Sequence, residues 1–241
     1  MRSAAGRALV LVVIGLCVAA CGVVSTVNRV KNDVEGNKAT IDAFTGKFQH
    51  VGAVPFEATY TTTGSSPATV VYAVSPPTGL LFRDTPSGAG SSGAPRVYLV
   101  VDAGGEYSCS PPSARTGPKS HWSCQQLAPA TAAVQNKIFD LYTPSHWTAF
   151  LEGLSVAAGF AGDKVSSSTR TVHGFAMSCV DLVASGVAGT STICTTAQGI
   201  LGYVKVASEP TSFEITAYTT RPAATLFALP KGAIVTAAKP S

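Results

Sequence analysis

Six cysteines are the residues of this chain best able to do chemistry. A thiolate can ligate metal, attack an electrophile, form a disulfide or carry an acyl group. Cys109, Cys124, Cys179 and Cys194 form an even set far from the amino-terminus. In an exported chain such a set reads as two disulfides, with three possible connectivities. Spacing favours Cys109–Cys124 and Cys179–Cys194, because each pair is fifteen apart and spans a hairpin-length segment. Zinc is the weaker rival. No Cys-x-x-Cys occurs, and no histidine stands at ligand spacing from a cysteine pair. No metal or cofactor is expected.

The other reactive side chains form no recognisable constellation. His50, His121, His146 and His173 are isolated, with no H-E-x-x-H and no pair at i, i+4. A hydrolase triad needs a nucleophile on a sharp turn, as in G-x-S-x-G, which is absent. Asp102, Glu106, Asp140, Glu152, Asp163 and Asp181 are scattered, and no spacing pairs them for glycoside hydrolysis. Gly88-Ala89-Gly90-Ser91-Ser92-Gly93 fits G-x-G-x-x-G, but Pro95 and a strand follow where phosphate binding needs a helix. It reads as a hairpin loop. No catalytic residue is assigned, and the chain is not expected to be an enzyme.

Cys21 differs from the other thiols by its setting. Arg2 and Arg7 precede an uncharged apolar stretch from Ala8 to Ala20. That stretch is a secretory signal rather than a membrane span, which needs roughly 20 apolar residues. Its end, Val18-Ala19-Ala20-Cys21, resembles the lipobox of bacterial lipoproteins: an aliphatic residue, two small residues, then Cys. Cys17 follows the larger Leu16 and fits less well. The resemblance implies cleavage before Cys21 and acylation of its thiol. Two or more acyl chains anchor stably where one does not. The expected location is the extracytoplasmic side of a cell membrane, with Cys21 as the lipid anchor.

Composition narrows the partners. The formal net charge is +4, and removal of Arg2 and Arg7 with the leader brings it nearer neutral. No Lys/Arg cluster forms a patch, so nucleic acid is not an expected partner. Only 12% of the chain is charged, against about a quarter in typical domains.

Hydrophobic periodicity supplies the elements. Ile41, Phe44 and Phe48 recur at helical spacing and predict a helix with its stripe facing a sheet. The period then becomes two. Val54, Phe56, Ala58 and Tyr60 mark a strand; Val70, Tyr72 and Val74 a second; Leu80 and Phe82, with Arg83 on the other face, a third; Val97, Leu99 and Val101 a fourth. Gly104-Gly105 turns the chain into Tyr107-Ser108-Cys109. Between Pro129 and Gly162 the alternation stops. Thr143-Pro144 looks like a helix start, and Trp147, Phe150, Leu151, Leu154 and Ala158 follow on one helical face. Strands resume over 169–173, 175–183, 191–195, 200–207 and 211–219.

So large a sheet must close, curl or be covered. The expected fold is α+β: a curved antiparallel sheet, an unclosed half-barrel, with helices packed in its concave face. An apolar cavity between sheet and helices would be lined by Phe56, Tyr60, Tyr72, Leu80, Phe82, Leu99, Phe213 and Ile215 from strands, and by Trp147, Phe150, Leu151 and Leu154 from the helix. A filled core would show the same pattern.

Four local features resemble the LolA/LolB-like lipoprotein-carrier superfamily and its lipoprotein relatives in Gram-positive envelopes. They are Phe44-x-x-x-Phe48 with Phe56-x-Ala58-x-Tyr60; Pro76-Pro77-Thr78-Gly79-Leu80-Leu81-Phe82-Arg83; Asp102-Ala103-Gly104-Gly105-Glu106-Tyr107; and Phe227-Ala228-Leu229-Pro230-Lys231-Gly232-Ala233. The resemblance implies a hydrophobic cavity under a helical lid and a lipid or lipoprotein ligand. The expected organisation is a signal peptide over 1–20, a lipid-anchored tether and start of helix over 21–39, a LolA-like half-barrel over 40–234 and a tail over 235–241. The expected function is to hold a lipid or other hydrophobic ligand without catalysis. The alternative is a structural or interaction lipoprotein of the same fold, with a filled core and a membrane partner.

Overall fold

The computed structural model describes residues 35–48, 54–64, 66–88, 91–112, 121–128, 164–184 and 186–238. Twelve strands account for most of them. In chain order they are β1 Phe56–Thr62, β2 Ala68–Ser75, β3 Gly79–Pro86, β4 Val97–Asp102, β5 Gly105–Ser110, β6 Ser123–Gln126, β7 Lys164–Val172, β8 Phe175–Val183, β9 Ser191–Thr196, β10 Leu201–Lys205, β11 Ser212–Thr219 and β12 Ile234–Thr236. They make one sheet, ordered β12-β6-β5-β4-β3-β2-β1-β11-β10-β9-β8-β7. Two antiparallel meanders, β1 to β6 and β7 to β11, are joined where β1 pairs with β11. The last strand, β12, adds to β6 in parallel, so the sheet is mixed.

Local sequence explains the hairpins. Val172 and Phe175 pair directly, leaving His173 and Gly174 as a two-residue turn. Both have positive φ, 49° and 83°. That is the left-handed pair a primed hairpin turn requires, because its twist matches the flanking strands. At the β4–β5 turn Gly105 has φ 141°, and a Cβ there would come 2.8 Å from Gln126 Nε2. The Gly104 N–H donates to Asp102 Oδ1 at 2.7 Å, closing this turn from its own first residue.

Side-chain alternation sorts the core. Phe56, Ala58, Tyr60, Val70, Tyr72, Phe82 and Leu99 fall on one face of the first meander and join a large cluster with Met177, Cys179, Cys194, Ile200, Tyr203 and Ile215. Val71, Ala73, Leu81, Val100, Tyr107, Cys109 and Cys124 fall on the opposite face and make a second cluster. Leu226, Phe227 and Leu229, around a short 3-10 turn at Ala224–Phe227, cover it.

The expected α+β half-barrel, with helices in its concave face, is overturned. The molecule is a predominantly β, mixed twelve-stranded open sheet. Among the described residues its one α-helix, α1, spans residues 35–45. Ile41 and Phe44 of α1 pack on Val180, Ile193 and Leu201. In register, Val180, Ile193 and Val204 share one face of β8, β9 and β10, while Cys179, Cys194 and Tyr203 share the other. The sheet curls toward the cysteine-bearing face. Arg170 of β7 reaches across to lie 4.5 Å over the Tyr203 ring of β10, and His173 Nε2 comes 3.3 Å from Glu214 Oε2 of β11. The helix therefore packs on the outside of the curl, and among the described residues the inside carries side chains of the sheet itself. Asn37 Oδ1 also accepts the Val165 N–H at 3.2 Å, satisfying a donor on edge strand β7.

Candidate functional site

The eight strand positions expected to line a cavity do come together. They do so as side chains packed on one another. The rings of Tyr60 and Phe213 stack at 4.2 Å, and Phe56 meets Tyr72 edge-on at 5.7 Å. Tyr60 and Ile215 are fully buried, and Tyr72 and Leu99 nearly so; Phe56 and Phe82 are buried, Leu80 and Phe213 half-buried. The helical set Trp147, Phe150, Leu151 and Leu154 lies outside the described residues, as does Cys21. So do Asp140, Glu152, Asp163, His50 and His146.

The other four cysteines form two disulfides, Cys109–Cys124 and Cys179–Cys194, each closing a separation of 15 residues. Each joins residues directly opposite in an antiparallel pair, β5 with β6 and β8 with β9. Their Cα atoms are 4.1 and 4.0 Å apart, near the spacing of a non-hydrogen-bonded cross-strand pair. The hairpin connectivity favoured by spacing is the one found.

The carboxylates do not converge. Asp84 pairs with Arg96, whose Nε and Nη2 reach Oδ2 at 3.1 and 2.5 Å. Asp181 Oδ1 accepts the Thr192 hydroxyl at 2.6 Å. Glu106 stands across from Val101, at the other end of β4 from the partner of Asp84. Burial raises its pKa, and its Oε1 has no hydrogen-bond partner among the described residues. Among the described residues no cluster of three His, Cys, Asp or Glu could hold a metal, and no helix is long and apolar enough to cross a membrane.

Two surface grooves are lined largely by polar side chains, and one of them adds aromatic rings. The first, about 340 Å3, is built on the outer face of the first meander. Register makes it a short grid: Val71, Arg83 and Tyr98 lie in one row across β2, β3 and β4, and Thr69 and Thr85 lie opposite each other in a neighbouring row. Trp122, just before β6, closes one side, its ring 5.3 Å from that of Tyr98. Gly93 and Pro95 contribute the rim. Burial raises the Tyr98 pKa, and the Arg83 charge pulls it partly back. The backbone of Trp122 is tied down, since its carbonyl accepts the Ile234 N–H at 2.8 Å where β12 begins.

The second groove, about 430 Å3, is lined by Thr169, Arg170, Thr171, Ala176, Met177, Ser178 and Ala197 on the curled meander. Its arginine is already engaged over Tyr203. Neither groove is lined by the positions expected to form a cavity. Arg83 stands out in the sequence as the polar residue after Phe82 and as the end of the Pro76 to Arg83 motif, not as part of a groove. Nothing local says that Tyr98 and Trp122 meet beside it.

No family model matches the chain, and no curated protein matches it. Among solved structures, it is similar to an uncharacterized conserved protein from Thermus thermophilus, at 9% identity and TM-score 0.43, over 81% of this chain and 98% of that one. It is also similar to PNGF-II, at 9% identity and TM-score 0.32, over 77% of this chain and 31% of that one. Likeness at this level assigns neither a family nor an activity, and neither neighbour links the chain to the lipoprotein carriers.

Proposed function

We propose that this chain is an exported envelope protein, tethered to the outer leaflet through acylated Cys21, that works as a non-catalytic interaction module rather than as a carrier of lipid in its core. The observation that carries the reading is the packing of the expected cavity positions. Tyr60 against Phe213 and Phe56 against Tyr72 leave no room among the described strands for an acyl chain in their place. Interaction then falls to the surface. The lipobox residues Val18-Ala19-Ala20-Cys21 support the tether. Two disulfides support an oxidising compartment, where such bonds persist.

The test is expression of the full chain and its Cys21→Ser variant in a bacterial host fed an alkyne fatty acid. Wild type should take up label and sediment with membranes; the variant should do neither. Equal label and sedimentation for both would overturn the tether. Native mass spectrometry of the wild type from its own membrane should show the mass of the acylated polypeptide alone. A stoichiometric, non-covalent lipid adduct would overturn the filled-core reading.

A further inference from the structure

We infer that the groove formed by Arg83, Tyr98 and Trp122 binds a singly charged organic oxyanion, a carboxylate or phosphodiester, carried on a flat apolar body. The inference goes beyond the tethering reading and stands without it, because no residue of the anchor takes part.

The first observation is an unspent cation. Arg83 is half-buried at the middle of β3, yet makes no hydrogen bond or ion pair among the described residues. The adjacent acid, Asp84, alternates to the opposite face and is taken by Arg96. The Arg83 stem lies along the sheet face, and its guanidinium is left without a protein counter-charge among the described residues. An oxyanion would supply that counter-charge, and the planar fork fits carboxylate and phosphate through two parallel N–H···O bonds.

The second observation concerns the walls. Tyr98 and Trp122 present a paired aromatic surface, their rings tilted by 58°. Their hydroxyl and indole N–H make no hydrogen bond among the described residues, and neither do the Thr69 and Thr85 hydroxyls. Aromatic side chains with a free polar tip suit a ligand that is apolar at one end and polar at the other. One cation sets the ligand's charge at one. A volume of about 340 Å3 sets its size at that of a small molecule or one residue of a longer chain.

The third observation is rigidity. Arg83 and Tyr98 sit on paired strands, and Trp122 is held through β12 and packed beside the Cys109–Cys124 hairpin. A site on such elements is preorganised, which removes part of the ordering cost of binding.

Titration calorimetry on the purified full chain tests this with three probes of one shape: 1-naphthoate, methyl 1-naphthyl phosphate and the neutral 1-naphthamide. At least one anion should bind about tenfold or more tighter than the amide, as a charge-assisted hydrogen-bond pair implies. The tighter anion identifies the oxyanion class. Arg83→Gln should bring the anion to the amide's affinity and leave the amide unchanged. Arg83→Lys, which keeps the charge but loses the fork, should fall between. An unchanged thermal midpoint in both variants would show that folding is intact. The inference is overturned if the anions bind no tighter than the amide, if Arg83→Gln leaves anion affinity unaltered, or if no probe binds at millimolar concentration.

Discussion

The two meanders are built alike and use their polar side chains differently. Each carries one cross-strand disulfide of the same separation, and each places an arginine near an aromatic ring. In the β7–β11 meander those groups hold the curl: Arg170 lies over Tyr203, His173 meets Glu214, and Asp181 accepts from Thr192. In the β1–β6 meander several are left over. Among the described residues Arg83 has no counter-charge, Glu106 keeps one unpaired oxygen, and so does the Arg96-bound Asp84. The difference teaches that polar groups on a sheet face either fasten strands across the curvature or remain available to something outside. The curled half has spent its groups on shape. The half extended by β12 has them to offer.

The largest expected effect asks whether the disulfides are equivalent. Loop closure over 15 residues constrains the unfolded chain by about 3 kcal/mol, independent of where in the sheet the bond lies. Replacing Cys109 and Cys124 together by alanine should cost about 3 kcal/mol, and replacing Cys179 and Cys194 should cost the same. Guanidinium unfolding of both double variants reads this directly. If the losses differ by more than about 2 kcal/mol, native packing rather than loop closure governs one of them, and the likeness of the two halves ends there.

A smaller effect separates the arginines. Arg170→Ala should cost about 0.5–1 kcal/mol, the worth of an exposed cation over an aromatic ring. Arg83→Ala should cost less, because the charge removed stabilises nothing within the described fold. The same unfolding curves measure both. A larger loss for Arg83→Ala would place it among the groups that hold the sheet and reverse the comparison.

The halves also differ in what their sequences disclose. Alternation in Phe56-x-Ala58-x-Tyr60 marks a strand because only that face of β1 is buried. Equal spacing of the cysteines marks the hairpins for a related reason: a bond between opposite residues needs nearly symmetric arms. By contrast, β12 is three residues long and exposed, and its parallel pairing with β6 spans more than a hundred positions. No local pattern encodes that. The side of the sheet that takes α1 depends on the direction of curl. Contacts such as Arg170 with Tyr203 lie on the inside of that curl, and they join strands that are not neighbours. The groove was hidden for the same reason. Thr69, Arg83, Thr85 and Tyr98 each read as the solvent face of an alternating strand, and only the register lines them up.

The smallest effect concerns Glu106, and its sign matters more than its size. The side chain is 9% exposed and stands across from Val101, beside the large apolar cluster. Burial disfavours the charged form, so the folded-state pKa lies above the ordinary value of 4.5. A group raised in this way favours folding at pH below its unfolded value, and that contribution is lost as pH rises through the folded value. At neutral pH the ionised carboxylate therefore opposes folding. Glu106→Gln keeps the shape and removes the charge. It should raise the thermal midpoint at pH 7, and the gain should fade as pH falls through the raised folded-state value, below which wild type is itself protonated. Asp181→Ala in the other meander should do the reverse at pH 7, because it removes the acceptor of the Thr192 hydroxyl. A midpoint lowered by Glu106→Gln at pH 7 would mean that Glu106, like Asp181, is engaged in the fold. The division between a half that has used its polar groups and a half that has not would then rest on Arg83 and the second oxygen of Asp84.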